Sequence, residues 1–442
     1  MLRHARTELG WSQGELGARF GCSGPTISRF ETGRRGLRDV AVLGRFASIL
    51  GLPAEAFGLT DTASGRHASP GHPDVASKVG AGRSRDVGHE GDDPVRRRAF
   101  LLAASGALVG TTVTAGQRLA PGVEVDPAVF LARRLAGVLL PGGPAAARPA
   151  PTTTLLAVLA DAVADFRACH YVDLAARLPA LITAAEATHA QAEEPRSAAV
   201  LAQSYNLATR ALIKLDASGL EWVSADRAVR AAAQAEDPLA VAEAQRLLGS
   251  ACRRAGHHDR AQILTLTAAD RLQLSGKHPN PRHLALYGVL MCSAGYAAAR
   301  AGDHDRAVDL LAEADSTTGR LTDHPAQQRA LAANVASHRV SAEYVLGNAG
   351  TALHHARTAR LAQFPDTERR ARFLVDVALC FAQWDKPGQA YRSLLAAERA
   401  APGEVRTRAT VRRLVTDLLQ HPQWAGLPGL RDLATRTHAS YG

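Results

Sequence analysis

The chain has 442 residues, 46% of them hydrophobic, with 52 Lys and Arg against 42 Asp and Glu, a formal net charge of +10. That length allows about three domains with sizeable cores, and the basic balance favours an anionic partner such as nucleic acid. Five cysteines (22, 169, 252, 292 and 380) are widely spaced with no CxxC pair, which excludes a disulfide framework and a cysteine-based zinc site. Only four basic residues are lysines (78, 214, 277 and 386). The arginine and alanine richness therefore reads as a GC-rich bacterial sequence rather than as a special basic tail.

Residues 12–31, SQGELGARFGCSGPTISRFE, are the best punctuated stretch. Ser12 is an N-cap answered by Glu15 three residues on, the spacing of a capping box. Leu16 and Phe20 share a helix face, and Gly21 follows where a left-handed residue ends a helix cheaply. Ser23 caps a second helix, Pro25 is tolerated in its first turn, and Ile27 and Phe30 give it a buried side. Thr26, Ser28 and Arg29 are left facing outward. A third segment, Asp39 to Leu50, continues the helical pattern to Gly51-Leu52-Pro53.

Over residues 1–59 these features resemble the lambda-repressor/Cro-like (XRE-type) helix-turn-helix family. The resemblance implies an all-α fold beginning with a five-helix Cro/C1-type domain whose second motif helix enters the major groove of double-stranded DNA. Carried across by position, Gln13 and Ser23 would touch phosphate, as would Arg34 and Arg35 after the helix. Gly24, Pro25, Thr26, Ser28 and Arg29 would present the reading surface, with Arg29 able to grip a guanine bidentately. Gly24 and Pro25 stand where many relatives carry long polar side chains, which thins direct base readout, and Leu2 to Leu9 makes a short first helix for the family. Residues 1–59 carry 8 Arg and 5 Asp or Glu, a net charge of +3. Such a modest footprint fits paired modules on one operator.

From Thr60 to Pro94 the composition is Gly, Ser, Pro, His and mixed charge, too polar to offset chain entropy, so a disordered linker is expected. Residues 95–150 hold two features. Arg97-Arg98-Ala99-Phe100-Leu101 resembles a twin-arginine export signal but lies far from the N-terminus, and the apolar run after it is short for a membrane span. A cytoplasmic, partner-covered helix is the expectation, with a membrane-tethered regulator as the alternative. Residues 123–140 then read as an amphipathic helix stopped by Pro141-Gly142-Gly143-Pro144.

Residues 151–442 read as almost continuous helix with an internal repeat. Leu248-Gly249, Cys252, Gly256, Ala261 and Ala268 match the tetratricopeptide spacing, and Ala294-Gly295, Ala298, Gly302, Ala307, Leu311 and Ala314 repeat it. Further copies run through Tyr344, Gly347, Ala352 and Ala356, and through Phe381, Ala390, Leu394 and Ala397. The near-duplicate loops AGHHDR (255–260) and AGDHDR (301–306) support a true repeat. Five or six helical hairpins stacked into a tetratricopeptide-like α-solenoid are expected, with small residues where helices cross and Trp222 and Tyr344 as packing residues. Inner-helix polar residues Asn206, Arg210, Asn334 and Arg339 are candidates for holding a peptide or protein effector in the groove.

His257-His258 and His354-His355 have the wrong spacing for a metal on one helix face, and no metal or cofactor is expected. No P-loop, GxGxxG, GxSxG, HExxH or kinase signature occurs, so the expectation is a non-enzymatic, cytoplasmic, dimeric transcriptional regulator. A protein-interaction scaffold with a degenerate helix-turn-helix is the other class.

Overall fold

The structure, a computed structural model, describes residues 2–20, 24–31, 40–53, 126–142, 148–216, 219–272, 274, 279–420 and 427–439. These belong to one compact unit assembled from residues 1–59 and 125–442. The expected linker at 60–94 and the apolar segment at 95–116 lie outside the described residues. Helices and turns account for the described residues, with no strand among them, so the chain is all-α.

The N-terminal part contains α1 (Leu2–Glu8), α2 (Gln13–Phe20), α3 (Gly24–Glu31) and α4 (Val40–Leu50). The fifth helix expected for this domain falls outside the described residues. Its small core is made of Leu2, Ala5, Leu16, Phe20, Ile27, Phe46 and Leu50. The Phe20 and Phe46 rings stack at 3.9 Å and 8°, and Phe30 meets both edge-on at 6.5 and 5.5 Å. Three aromatic rings give so short a domain a large apolar contact for few ordered residues.

The second part begins with α5 (Pro127–Leu139), capped by Asp126, whose carboxylate accepts from the Ala128 amide at 2.8 Å. Leu131, Leu135 and Leu139 of α5 join Leu174 and Leu178 in one hydrophobic cluster, so α5 packs as part of the array. Six antiparallel pairs follow: α6 (Thr152–Ala168) with α7 (Tyr171–Ala192), α8 (Pro195–Leu215) with α9 (Leu220–Ala233), and α10 (Pro238–Arg254) with α11 (His258–Asp270). The series continues with α12 (Pro281–Ala301) and α13 (His304–Gly319), α14 (Pro325–Val345) and α15 (Ala349–Thr358), and α16 (Thr367–Gln383) and α17 (Pro387–Ala400). Three shorter helices, α18 (Pro402–Thr407), α19 (Ala409–Gln420) and α20 (Leu430–Thr437), cover the last pair through Val411, Leu414, Leu418, Leu430 and Leu433.

Small residues set the close crossings. A Cβ on Gly249 would stand 3.2 Å from the Ala261 carbonyl, and one on Gly295 would stand 3.3 Å from that of Ala307. Ala225, Ala261, Ala307, Ala352 and Ala390 are all fully buried. Between neighbouring pairs, a Cβ at Gly288 would fall 2.5 Å from Leu331 Cδ2. Only glycine admits that leucine. Helix α12 is long and apolar enough to cross a membrane by length and composition, but its apolar residues are spent on hairpin packing, with Leu290, Cys292, Ala294 and Ala298 fully buried.

The first helix of each pair packs on the first helix of the next, and α16 packs back on α6. That closure is tied by charge. Lys214 on α8 reaches Glu368 on α16 and lies 2.8 Å from Glu404 on α18. Glu404 also accepts from the Tyr171 hydroxyl at 2.8 Å and pairs with Arg408 at 2.5 Å. All of these side chains are nearly out of water, and a Cβ on Gly403 would stand 2.6 Å from the Cys169 carbonyl. The array thus closes on itself, with α16 against α6.

Candidate nucleic-acid interface

The capping box forms as the spacing requires: the Ser12 amide donates to Glu15 at 2.7 Å, and the Glu15 amide donates to the Ser12 hydroxyl at 3.1 Å. These bonds also hold the Glu15 carboxyl below its usual range. The helix that follows buries Leu16 and Phe20, and Ile27 of α3 closes over them fully buried.

A second set of contacts, between residues far apart in sequence, orients α3. Arg6 on α1 donates from Nε to Glu31 at 2.5 Å and from Nη2 at 3.2 Å, and its Nη1 donates to the Trp11 carbonyl at 2.5 Å. The Glu31 side chain is 1% exposed. Burial alone would raise its carboxyl, but the bonds from Arg6 and Gln13 and the Arg6 charge outweigh it and hold it below the ordinary value. Three helices thus meet at the C-terminal end of α3.

Gln13, expected at phosphate, donates its side-chain amide to Glu31 at 2.7 Å and is half-buried. Ser28 is half-buried on α3. Ser23, Arg34 and Arg35, and the side chains of Gly24, Pro25, Thr26 and Arg29, lie outside the described residues.

The array touches this domain at the turn between α14 and α15. Arg45 of α4 donates to the Leu346 carbonyl at 2.9 Å, and its guanidinium sits 5.3 Å from the centre of the Phe20 ring. Gly347 has φ +83°, and a Cβ there would stand 2.8 Å from Phe20 Cε1. Glycine is needed twice, for its backbone angle and for its missing side chain.

The four candidate effector residues divide. Asn206 and Arg210 are one turn apart on α8; Asn206 is 4% exposed with no partner for its Oδ1, and Arg210 pairs with Glu243. Asn334 accepts from Arg369, which brings it to the same interior. Arg339 goes elsewhere, because the five residues from Asn334 turn the helix by about 140° beyond a full turn. It pairs with Asp315 at 3.0 Å and lines a separate cleft of about 160 Å³ with His355 and Gln363.

The interior holds residues that the repeat pattern did not single out: Arg246 and Arg253 on α10, His338 on α14, and Arg369 and Arg372 on α16. The run Glu368-Arg369-Arg370-Ala371-Arg372 was the visible sign. Arg253 lies 4.5 Å from the Tyr296 ring centre, and Tyr296 meets His338 edge-on at 6.2 Å. Burial, with repulsion from Arg372, Arg300 and Arg254, pushes Arg253 down to about 10. At the outer end of α6, Asp165, His170 and Asp173 gather within 4.8 Å, but Arg177 holds Asp165 at 2.9 Å, which makes this a surface ion-pair set.

Residues 1–57 match a family model described as a helix-turn-helix domain. That match, the capping box and the packing of α1 to α4 agree: the N-terminal part of the chain is a helix-turn-helix domain, the class of fold associated with DNA binding. A search of curated proteins returned no match to the chain.

Proposed function

We propose that the protein is a sequence-specific transcriptional regulator that reads DNA with α3 and senses an effector, or dimerises, through the tetratricopeptide-like array. The observation that carries this reading is the Arg6–Glu31–Gln13 junction, which fixes α3 against α1 and α2 as a rigid element inside a matched helix-turn-helix domain. A homodimer would set two such helices about 34–36 Å apart on a near-palindromic operator. The contact of Arg45 with Leu346 supports a coupling in which the array adjusts how the reading heads are held. The protein would act in the cytoplasm, on the DNA itself, without catalysis, cofactor or metal.

The test is selection of genomic fragments on the full-length protein, then gel shifts across a salt series. Enrichment of one sequence, with affinity falling on Arg29→Ala and with rising salt, is the expected result. No enrichment at any salt would remove the reading. That outcome would favour a protein-interaction scaffold, a class supported by the short side chains of Gly24 and Pro25 and by the turning of Gln13 onto Glu31.

A further inference from the structure

Five inner helices, α8, α10, α12, α14 and α16, are linked each to the next by contacts between polar or aromatic residues. Arg210 of α8 and Arg246 of α10 share the single carboxylate of Glu243, Arg246 at 2.7 and 2.8 Å. Arg253 of α10 stacks on Tyr296 of α12, which leads to His338 of α14. Asn334 and Ser341 of α14 then reach Arg369 and Asp376 of α16, the latter at 2.8 Å.

The guanidiniums outnumber their partners. Arg210, Arg246, Arg253, Arg369 and Arg372 meet Glu243, Asp366, Asp376 and Glu368, which Lys214 shares, so six cations face four carboxylates. The Arg369–Asp366 and Arg372–Asp376 pairs are loose, at 3.9 and 4.0 Å. Arg253 has an aromatic ring but no paired carboxylate among the described residues. Buried Arg210 Nε and Asn206 Oδ1 have no partner. Arg210, Arg369 and Arg372 still keep 39%, 37% and 43% of their side-chain surface open, so solvent and solutes reach them.

We propose that this interior face is a binding site for a small, multiply charged anion, a phosphate ester or a polycarboxylate, gripped by Arg210, Arg246, Arg253, Arg369 and Arg372. The guanidinium fork matches closely spaced anionic oxygens bidentately, and two such oxygens would balance the excess charge. Repulsion registers among these groups: after burial, Arg372, Arg253 and Arg369 oppose a proton on His338 against its bond to the Asn334 carbonyl, and Arg210 and Arg246 add to burial in lowering Arg369 against Glu368 and Asp366. This deepens the reading of the array as the sensing part and stands independently of whether α3 reads DNA.

The experiment uses the full chain at fixed ionic strength, titrated calorimetrically with pyrophosphate and, separately, with citrate, and followed by thermal melting. Saturable binding of either anion with a raised midpoint is expected, and which one binds identifies the ligand class. Arg253→Gln and Arg369→Gln should each weaken that binding about tenfold or more. Arg253→Gln should also melt no lower than the parent without anion, because it removes an uncompensated cation; that separates a lost site from a damaged fold. No saturation by either anion, or unchanged affinity in both variants, overturns the proposal. Loss of binding in Arg29→Ala would also overturn it, by placing the anion on the helix-turn-helix domain. Gel shifts on the same preparations report the DNA reading separately.

Discussion

Arg6 and Glu31, 25 residues apart, meet through two hydrogen bonds at the point where α1, α2 and α3 converge. With Glu31 only 1% exposed, removal of either partner leaves a charge buried without its counterion. Arg6→Ala should therefore cost about 3 kcal/mol of domain stability, and operator binding should fall with it for every sequence alike. Because the folded carboxyl lies below its ordinary value, the pair contributes fully above the unfolded pKa of about 4.3 and is lost as pH falls below it. Circular dichroism melts of parent and variant at pH 7 and pH 3.5 check this, and the gap should shrink at the lower pH.

Gly347→Ala tests the contact between the array and the helix-turn-helix domain. The substitution adds a strained backbone angle, about 1 kcal/mol, and drives a methyl against Phe20. Gly256→Ala is the control, since Gly256 has φ +86° in the corresponding turn with nothing within 4 Å of its Cβ position. Hydrogen exchange should quicken in residues 13–20 for Gly347→Ala and stay unchanged for Gly256→Ala.

Lys214→Met should be among the most damaging changes in the array. It takes from Glu368 its bonded counterion and leaves it beside Glu404, which keeps Arg408, with both carboxylates nearly out of water, at a cost of about 3–5 kcal/mol. Addition of Glu368→Gln should recover part of the loss, because one buried charge is then gone. Urea denaturation of the single and double variants measures both.

His338 makes the array sensitive to mild acid. Burial and the nearby arginines push it down to about 3, so the folded protein holds it neutral while the unfolded chain takes up a proton near pH 6.5. Its effect on stability is nil above that pH and grows increasingly unfavourable from about 6.5 down to about 3. His338→Gln should flatten the fall in melting temperature between pH 6.5 and 4.5 relative to the parent.

What could be read in the chain was what depends on neighbours. The Ser12–Glu15 box, the apolar faces of α2 and α3, and the alanines and glycines at hairpin crossings are all consequences of short spacings, and they appear where the spacings put them. Gly256, Gly302 and Gly347, aligned by the repeat, all take left-handed angles of 83–86°. Arg6 and Gln13 were not legible as partners of Glu31, because the bond depends on how three helices cross. The cationic interior was hidden for the same reason: its arginines come from α8, α10 and α16, and each looks like a solvated residue on its own helix. Arg339 shows the converse, a residue grouped with Asn334 by nearness in sequence and parted from it by helical rotation.

The tie from Lys214 to Glu368 and Glu404 fixes how many hairpins the array can hold. An open stack of hairpins can gain or lose a unit by gene duplication and settle for a longer or shorter rod. Here an inserted pair would pull α16 off α6 and part Lys214 from Glu368, leaving both buried charges without their bonded partner, so copy number is under physical constraint. The same knot makes unfolding a shared event: loosening the last hairpin exposes the first, and the array should melt as one body where an untied row of hairpins would fray from its tips.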